Sequence, residues 1–218
     1  ADYLAPGPHA VGSATFTFVD TSRITPASGP CAEQASRTLV TEVWFPATSP
    51  GGAFLDASRA PYPLVAHSHG LSDYRTGEAY LAQHLASWGY VVASPDFPLT
   101  NLFNIGCVRL ADIQNQPGDV SFMIDSVLVT FGDAIDTTRI GASGLSYGGT
   151  TTLLVTYHPE LRDERIKAAF PIAPGGCMYT RRFFASAEAP MLLLAGSGDQ
   201  LVPYRQNAKR PFNAAHAP

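Results

Sequence analysis

A chain of 218 residues, 45% apolar and only 15% charged, can bury a substantial core and is too apolar for intrinsic disorder. Its formal net charge of −4, with no basic cluster larger than Arg181-Arg182, excludes a phosphate-tracking surface, so nucleic acid is not an expected partner. No apolar run approaches the roughly 20 residues that span a bilayer. The opening Ala1-Asp2-Tyr3, without Met, predicts a mature start from which an export signal has been removed.

The elements follow in chain order. Alternation over 14–19 predicts a half-exposed edge strand, and the β-branched and aromatic run 38–45, closed by Pro46, a second. Residues 63–67 predict a buried strand that runs into the polar loop Ser68-His69-Gly70. Leu81, Leu85 and Trp88 define one face of a helix over 76–90 that Gly89 stops. A strand at 90–94 ends at Pro95. The irregular stretch 96–117, with Phe97, Leu99, Leu102, Phe103 and Ile105, predicts a lid or pocket wall; a packed surface loop is the alternative.

Asp119 is expected to cap a helix whose face is Val120, Met123, Ile124, Val127, Leu128 and Phe131. A strand at 139–143, a helix at 147–157, and strands at 166–170 and 191–195 complete the series. Strands alternating with helices mean a mainly parallel sheet in a single α/β domain.

Three cysteines, Cys31, Cys107 and Cys177, lie in no CxxC pair, so no metal and no cofactor is expected. Cys107 and Cys177 sit in Gly-flanked loops and are expected to pair, the alternative being three free buried thiols.

Gly144-Leu145-Ser146-Tyr147-Gly148 matches G-x-S-x-G between a predicted strand and a predicted helix, the setting of a nucleophile elbow. Ser146 is therefore the expected nucleophile. The oxyanion of a tetrahedral intermediate needs two backbone amides at about 3 Å. Tyr147, next after the nucleophile, is expected to supply one. Leu71 supplies the other from the loop after the 63–67 strand, with Gly70 permitting the turn. His67 and His69 are expected to shape that loop by bonding backbone, not to act as base or metal ligand. Asp199, in Gly198-Asp199-Gln200 after the 191–195 strand, is the expected triad acid. Asp125, Asp133 and Asp136 precede the nucleophile and fit that order poorly.

With these motifs the chain resembles the α/β-hydrolases related to platelet-activating-factor acetylhydrolase and the bacterial dienelactone-hydrolase-like lipases and esterases. The likeness rests on 7–12, Val43-Trp44-Phe45-Pro46-Ala47, His67-Ser68-His69-Gly70-Leu71, Ser94-Pro95-Asp96, 116–120, the elbow, and Gly198-Asp199-Gln200-Leu201-Val202-Pro203. It implies an α/β-hydrolase fold and a metal-free serine esterase acting on small-molecule or lipid esters, with polyester-type substrates in some relatives. With an export signal removed and a disulfide expected, a secreted or periplasmic setting is expected.

The departure is at the end of the chain. The family's last strand and triad histidine are expected after Asp199, yet 203–218 reads as loop and helix with no β-branched run. His216, two residues from the end, is a poor base, and His84 and His158 are remote. The missing strand and histidine are expected on a separate segment or a second chain. A serine carboxylesterase or lipase is the leading reading; a non-catalytic binding protein and an amidase or peptidase with the same triad are the alternatives.

Overall fold

The computed structural model describes residues 2–185 and 187–215. The alternation at 14–19 belongs to a longer strand, β1 (Ala10–Asp20), which pairs antiparallel with β2 (Arg37–Ala47) along its whole length. β3 (Tyr62–Ser68), β4 (Val91–Pro95), β5 (Ile135–Leu145) and β6 (Ile166–Ile172) complete the sheet of the described residues, in the order β1-β2-β4-β3-β5-β6. β2 joins β4 antiparallel, and β4, β3, β5 and β6 run parallel. Parallel neighbours need crossovers, supplied here by helices on both faces.

On one face α2 (Gln116–Phe131) and α3 (Tyr147–Tyr157) cover the main core, where Val120, Met123, Ile124, Val127 and Val155 meet Leu39, Val43, Phe45, Leu64, Ala93 and Ile140. On the other, α1 (Ala79–Ser87) packs against Trp44 and Val92. The alternation of elements predicts this mainly parallel α/β sheet, and the architecture is the α/β-hydrolase fold that the resemblance implies.

Four expectations need correction. α1 starts later than residue 76 and buries Ala82 and Ala86, leaving Leu81, Leu85 and Trp88 half-buried, because small side chains let the helix lie close to the sheet. Asp119 does not cap α2. The helix opens three residues earlier, Pro117 sits in its first turn, and Asp119 turns inward to Arg37 (2.7 and 2.6 Å). Arg37 also binds Asp112 (2.8 Å), and all three side chains are fully buried. Burial pushes the Asp119 carboxyl up, and Arg37 beside it offsets part of that.

The third correction is the disulfide. It joins Cys31 to Cys107, with Cα atoms 5.8 Å apart, and not Cys107 to Cys177. The loop 21–36 folds onto 102–107 so tightly that a Cβ on Gly29, at φ +54°, would lie 2.7 Å from the Gly106 carbonyl oxygen. Cys177 is exposed and free, and its amide donates to Asn207 Oδ1 (3.2 Å).

The fourth concerns 191–195, which forms no continuous strand. Two parallel bridges, Ala169 to Met191 and Ile172 to Leu194, hold it against β6. Leu192 and Leu194 remain 67% and 55% exposed. Beside it, the sheet face of β3, β5 and β6 carries a cleft of about 680 Å3 lined by Val65, Gly141, Ala168, Phe170 and Leu192. Beyond it, helix Arg210–Ala215 and the π-helical turn Arg205–Lys209 agree with the expected loop and helix.

Candidate active site

β5 ends at Leu145 and α3 begins at Tyr147, so Ser146 alone makes the turn between them. Its backbone stands at φ 55°, ψ −112°, a conformation that costs a non-glycine residue of order 1–3 kcal/mol. The surroundings hold it there. Its amide donates to the Ile172 carbonyl at the end of β6 (2.8 Å), and its carbonyl accepts from Thr150 (3.1 Å). A Cβ on Gly148 would sit 1.9 Å from the Ser68 carbonyl oxygen, and one on Gly144 would sit 2.4 Å from that of Gly148. The glycines on either side of Ser146 are therefore required by backbone contact with β3 and α3. The hydroxyl stands at the positive end of α3, where developing negative charge is stabilised.

The 69–73 loop adjoins the elbow: a Cβ on Gly70 would lie 3.9 Å from the Ser146 Cβ. The loop turns by a bond from the Asp73 amide to the Gly70 carbonyl (3.2 Å). The left-handed residue in it is Ser72, at φ 57°, and not Gly70, so the reversal rests on Ser72, and a Cβ at Gly70 would make only ordinary contacts. No backbone carbonyl of the described residues accepts from the Leu71 or Tyr147 amide. Leu71 is exposed, and the Tyr147 ring is half-buried with its hydroxyl donating to the Leu110 carbonyl. Burial pushes the Tyr147 phenol up to about 12.

His69 shapes the loop as expected: Nδ1–H donates to the Gly70 carbonyl (2.7 Å) and Nε2 accepts from the Phe97 amide (3.1 Å). This uses both ring nitrogens of a neutral imidazole, and burial lowers its pKa below 6.5. His67 differs, bonding side chains and not backbone. Its Nδ1 lies 2.8 Å from Ser143 Oγ, and its Nε2 3.4 Å from Glu78 Oε2. Burial raises Asp73. Burial also opposes ionisation of Glu78, but its bonds to His67 and Asp73 outweigh that and hold it ionised. This chain of buried Ser143, His67 and Glu78 ending on half-buried Asp73 was not legible in the sequence, apart from the alternation that puts His67 on one face of β3.

Asp199 follows 191–195 at the same end of the sheet as Ser146. Its Oδ1 accepts from the amides of Leu201 and Val202 (2.9 Å each), which fixes the carboxylate on its loop. His216 lies outside the described residues, His84 binds the Tyr3 carbonyl (2.9 Å), and His158 caps the far end of α3. Among the described residues no group of three or more His, Cys, Asp or Glu is placed to hold a metal ion.

The family model of PET hydrolase-like proteins matches residues 54–216. Cutinase 1 of Thermobifida cellulosilytica is 28% identical over 154 residues, which are 70% of this chain and 54% of that protein. Lipase 1 of a Moraxella species is 24% identical over 180 residues, 81% of this chain and 48% of that protein. This chain thus spans about half the length of the curated relatives it matches. The solved structure of a ferulic acid esterase from Streptomyces cinnamoneus superposes with a TM-score of 0.74 at 23% identity. It covers 96% of this chain and 72% of that one, which supports the fold. With the model spanning the sheet from β3 onward and both candidate oxyanion loops, the chain belongs to the PET hydrolase-like family.

Proposed function

We propose that this chain carries the nucleophile, oxyanion donors and acid of a serine carboxylesterase, with the triad histidine supplied from outside its described residues. The observation that carries this reading is Ser146, strained at φ 55° where β5 turns into α3 and backed by the 69–73 loop. Ser146 Oγ attacks the ester carbonyl and gives its proton to the histidine. The amides of Leu71 and Tyr147 hold the oxyanion, and Asp199 orients the imidazolium. The alcohol departs with that proton, and water then releases the acid from Ser146.

The relatives' names, cutinase and PET hydrolase-like, favour apolar and polyester-type substrates for this chain as well. The His-Ser-His-Gly loop favours a place near the platelet-activating-factor acetylhydrolase and dienelactone-hydrolase-like esterases. The Cys31–Cys107 bridge supports a secreted or periplasmic setting. The 191–195 segment, bonded to β6 and with Leu192 and Leu194 exposed beside an open apolar sheet face, supports a further strand there, bringing the histidine.

Ser146→Ala tests the reading. Ester turnover is expected to fall by about 10⁴–10⁶-fold with the fold unchanged by circular dichroism. Near-normal turnover by the folded variant sinks it.

A further inference from the structure

The stretch 96–117 is expected from sequence as a lid or wall, and its bonds decide between the two. It is tied down on every side. Near the 69–73 loop, the Ser72 amide donates to the Thr100 carbonyl and the Leu102 amide to the Asp73 carbonyl, both at 2.8 Å. Phe103 stacks edge-on against Tyr74 at 5.6 Å, beneath the Arg75 guanidinium. On the outer side the Cys31–Cys107 bridge and a bond from Arg109 to the Ala27 carbonyl (3.3 Å) fasten it to loop 21–36. At its far end the Leu110 carbonyl accepts from the Tyr147 hydroxyl, and Asp112 is locked on buried Arg37. Thus the two residues whose amides are the proposed oxyanion donors are flanked by bonds to one segment. That segment presents Phe103, Ile105 and Leu110 to solvent at 65%, 62% and 57% exposure.

We propose that residues 99–110 are a fixed apolar wall for the acyl or alcohol group of the ester, and that the Tyr147 hydroxyl is a positioning group setting this wall against the nucleophile. Cys31–Cys107 is the outer anchor of the same wall. The inference rests on the esterase reading of Ser146 and adds to it a determinant of substrate size. A wall bonded at both ends cannot retreat to admit substrate, so chain-length preference is built into these tethers. Tyr147→Phe keeps the ring and the amide and removes only the bond to Leu110.

The test compares the rates at which a short ethyl and a long dodecyl fluorophosphonate modify Ser146. Tyr147→Phe is expected to lower the long-to-short rate ratio about three- to tenfold, the size of one lost hydrogen bond. Cys107→Ser is expected to lower the same ratio, and the double variant no further than the larger single effect, because both act through one segment. If Cys107→Ser does not fold, reduction of the folded protein replaces it. An unchanged ratio in folded Tyr147→Phe, or effects that multiply, overturns the inference. If the short probe marks Ser146 in the unaltered protein, the esterase reading stands and the ratio judges the wall alone. If neither probe does, that reading fails and the wall fails with it.

Discussion

Two neighbouring regions at one end of the parallel half of the sheet are built differently. At the elbow, every contact is closed: Ser146 is clipped to β6 by its amide, Gly148 lies against Ser68, and His69 has both ring nitrogens bonded. At 191–215, two bridges hold the chain, large leucines face solvent, and Asp199 is organised mainly by its own loop. A strained backbone such as that of Ser146 persists only where its surroundings over-determine it, so the first region is held rigid by its own contacts. The second is held to β6 by backbone bonds at 190–194 and to the Gly176 amide through Asn207, with Leu192 and Leu194 still exposed. In the proposed enzyme, the first region supplies the nucleophile and the second the acid, with the histidine brought by a further segment.

That contrast is open to attack by substitution, the largest effect being in catalysis. Asp199→Asn keeps an oxygen for the Leu201 and Val202 amides but cannot hold a histidine in the working tautomer. Turnover of the complete enzyme is expected to drop by about 10³–10⁴-fold with little change in melting temperature. A comparable loss of stability instead would make Asp199 a loop residue and no more.

Next in size is the frame beneath the elbow. Arg37→Met removes the buried charge partner of Asp112, leaves Asp119 only Arg23 (2.8 Å), and is expected to cost about 3–5 kcal/mol in a denaturant titration. Gly148→Ala forces a methyl against the Ser68 carbonyl and is expected to cost ~1–3 kcal/mol, with loss of Ser146 reactivity. Free tolerance of either would mean that the nucleophile side is not over-determined.

A smaller effect appears with pH. Because burial holds the folded pKa of His69 below its unfolded value, the native state binds that proton less readily. Its contribution to stability is full above about pH 6.5 and is lost as pH falls below that. The urea midpoint is expected to fall between pH 7 and 5, and to fall less in His69→Gln. The smallest effect belongs to the open edge. Leu192→Ser in residues 1–218 is expected to change stability by under about 0.5 kcal/mol. A cost of several kcal/mol would show that this edge is already packed.

Much of this was legible in the sequence where the determinants are local. G-x-S-x-G names the elbow because the strand, the turn and the helix follow one another within a few residues, and the strand periods placed β1 to β6. The disulfide was not legible, since pairing depends on how loop 21–36 folds over 102–107, which no spacing encodes. Nor was the Arg37–Asp112–Asp119 cluster, whose members are 75 and 82 residues apart. Gly70 was read as the turn residue because glycine usually is, whereas the positive φ fell on Ser72, whose amide is held by Thr100. The run 191–195 has strand composition but too little on its outer side to complete a strand.

The central claim of the proposal is that Ser146 is the nucleophile and that a further segment brings its base. The most direct measurement is the rate at which a fluorophosphonate modifies Ser146 in residues 1–218, mapped by mass spectrometry, with and without added imidazole. The account predicts slow, specific modification of Ser146 that imidazole accelerates and that Ser146→Ala abolishes. Fast modification that imidazole leaves unchanged would place the base within these residues, and modification elsewhere would remove Ser146 from its role.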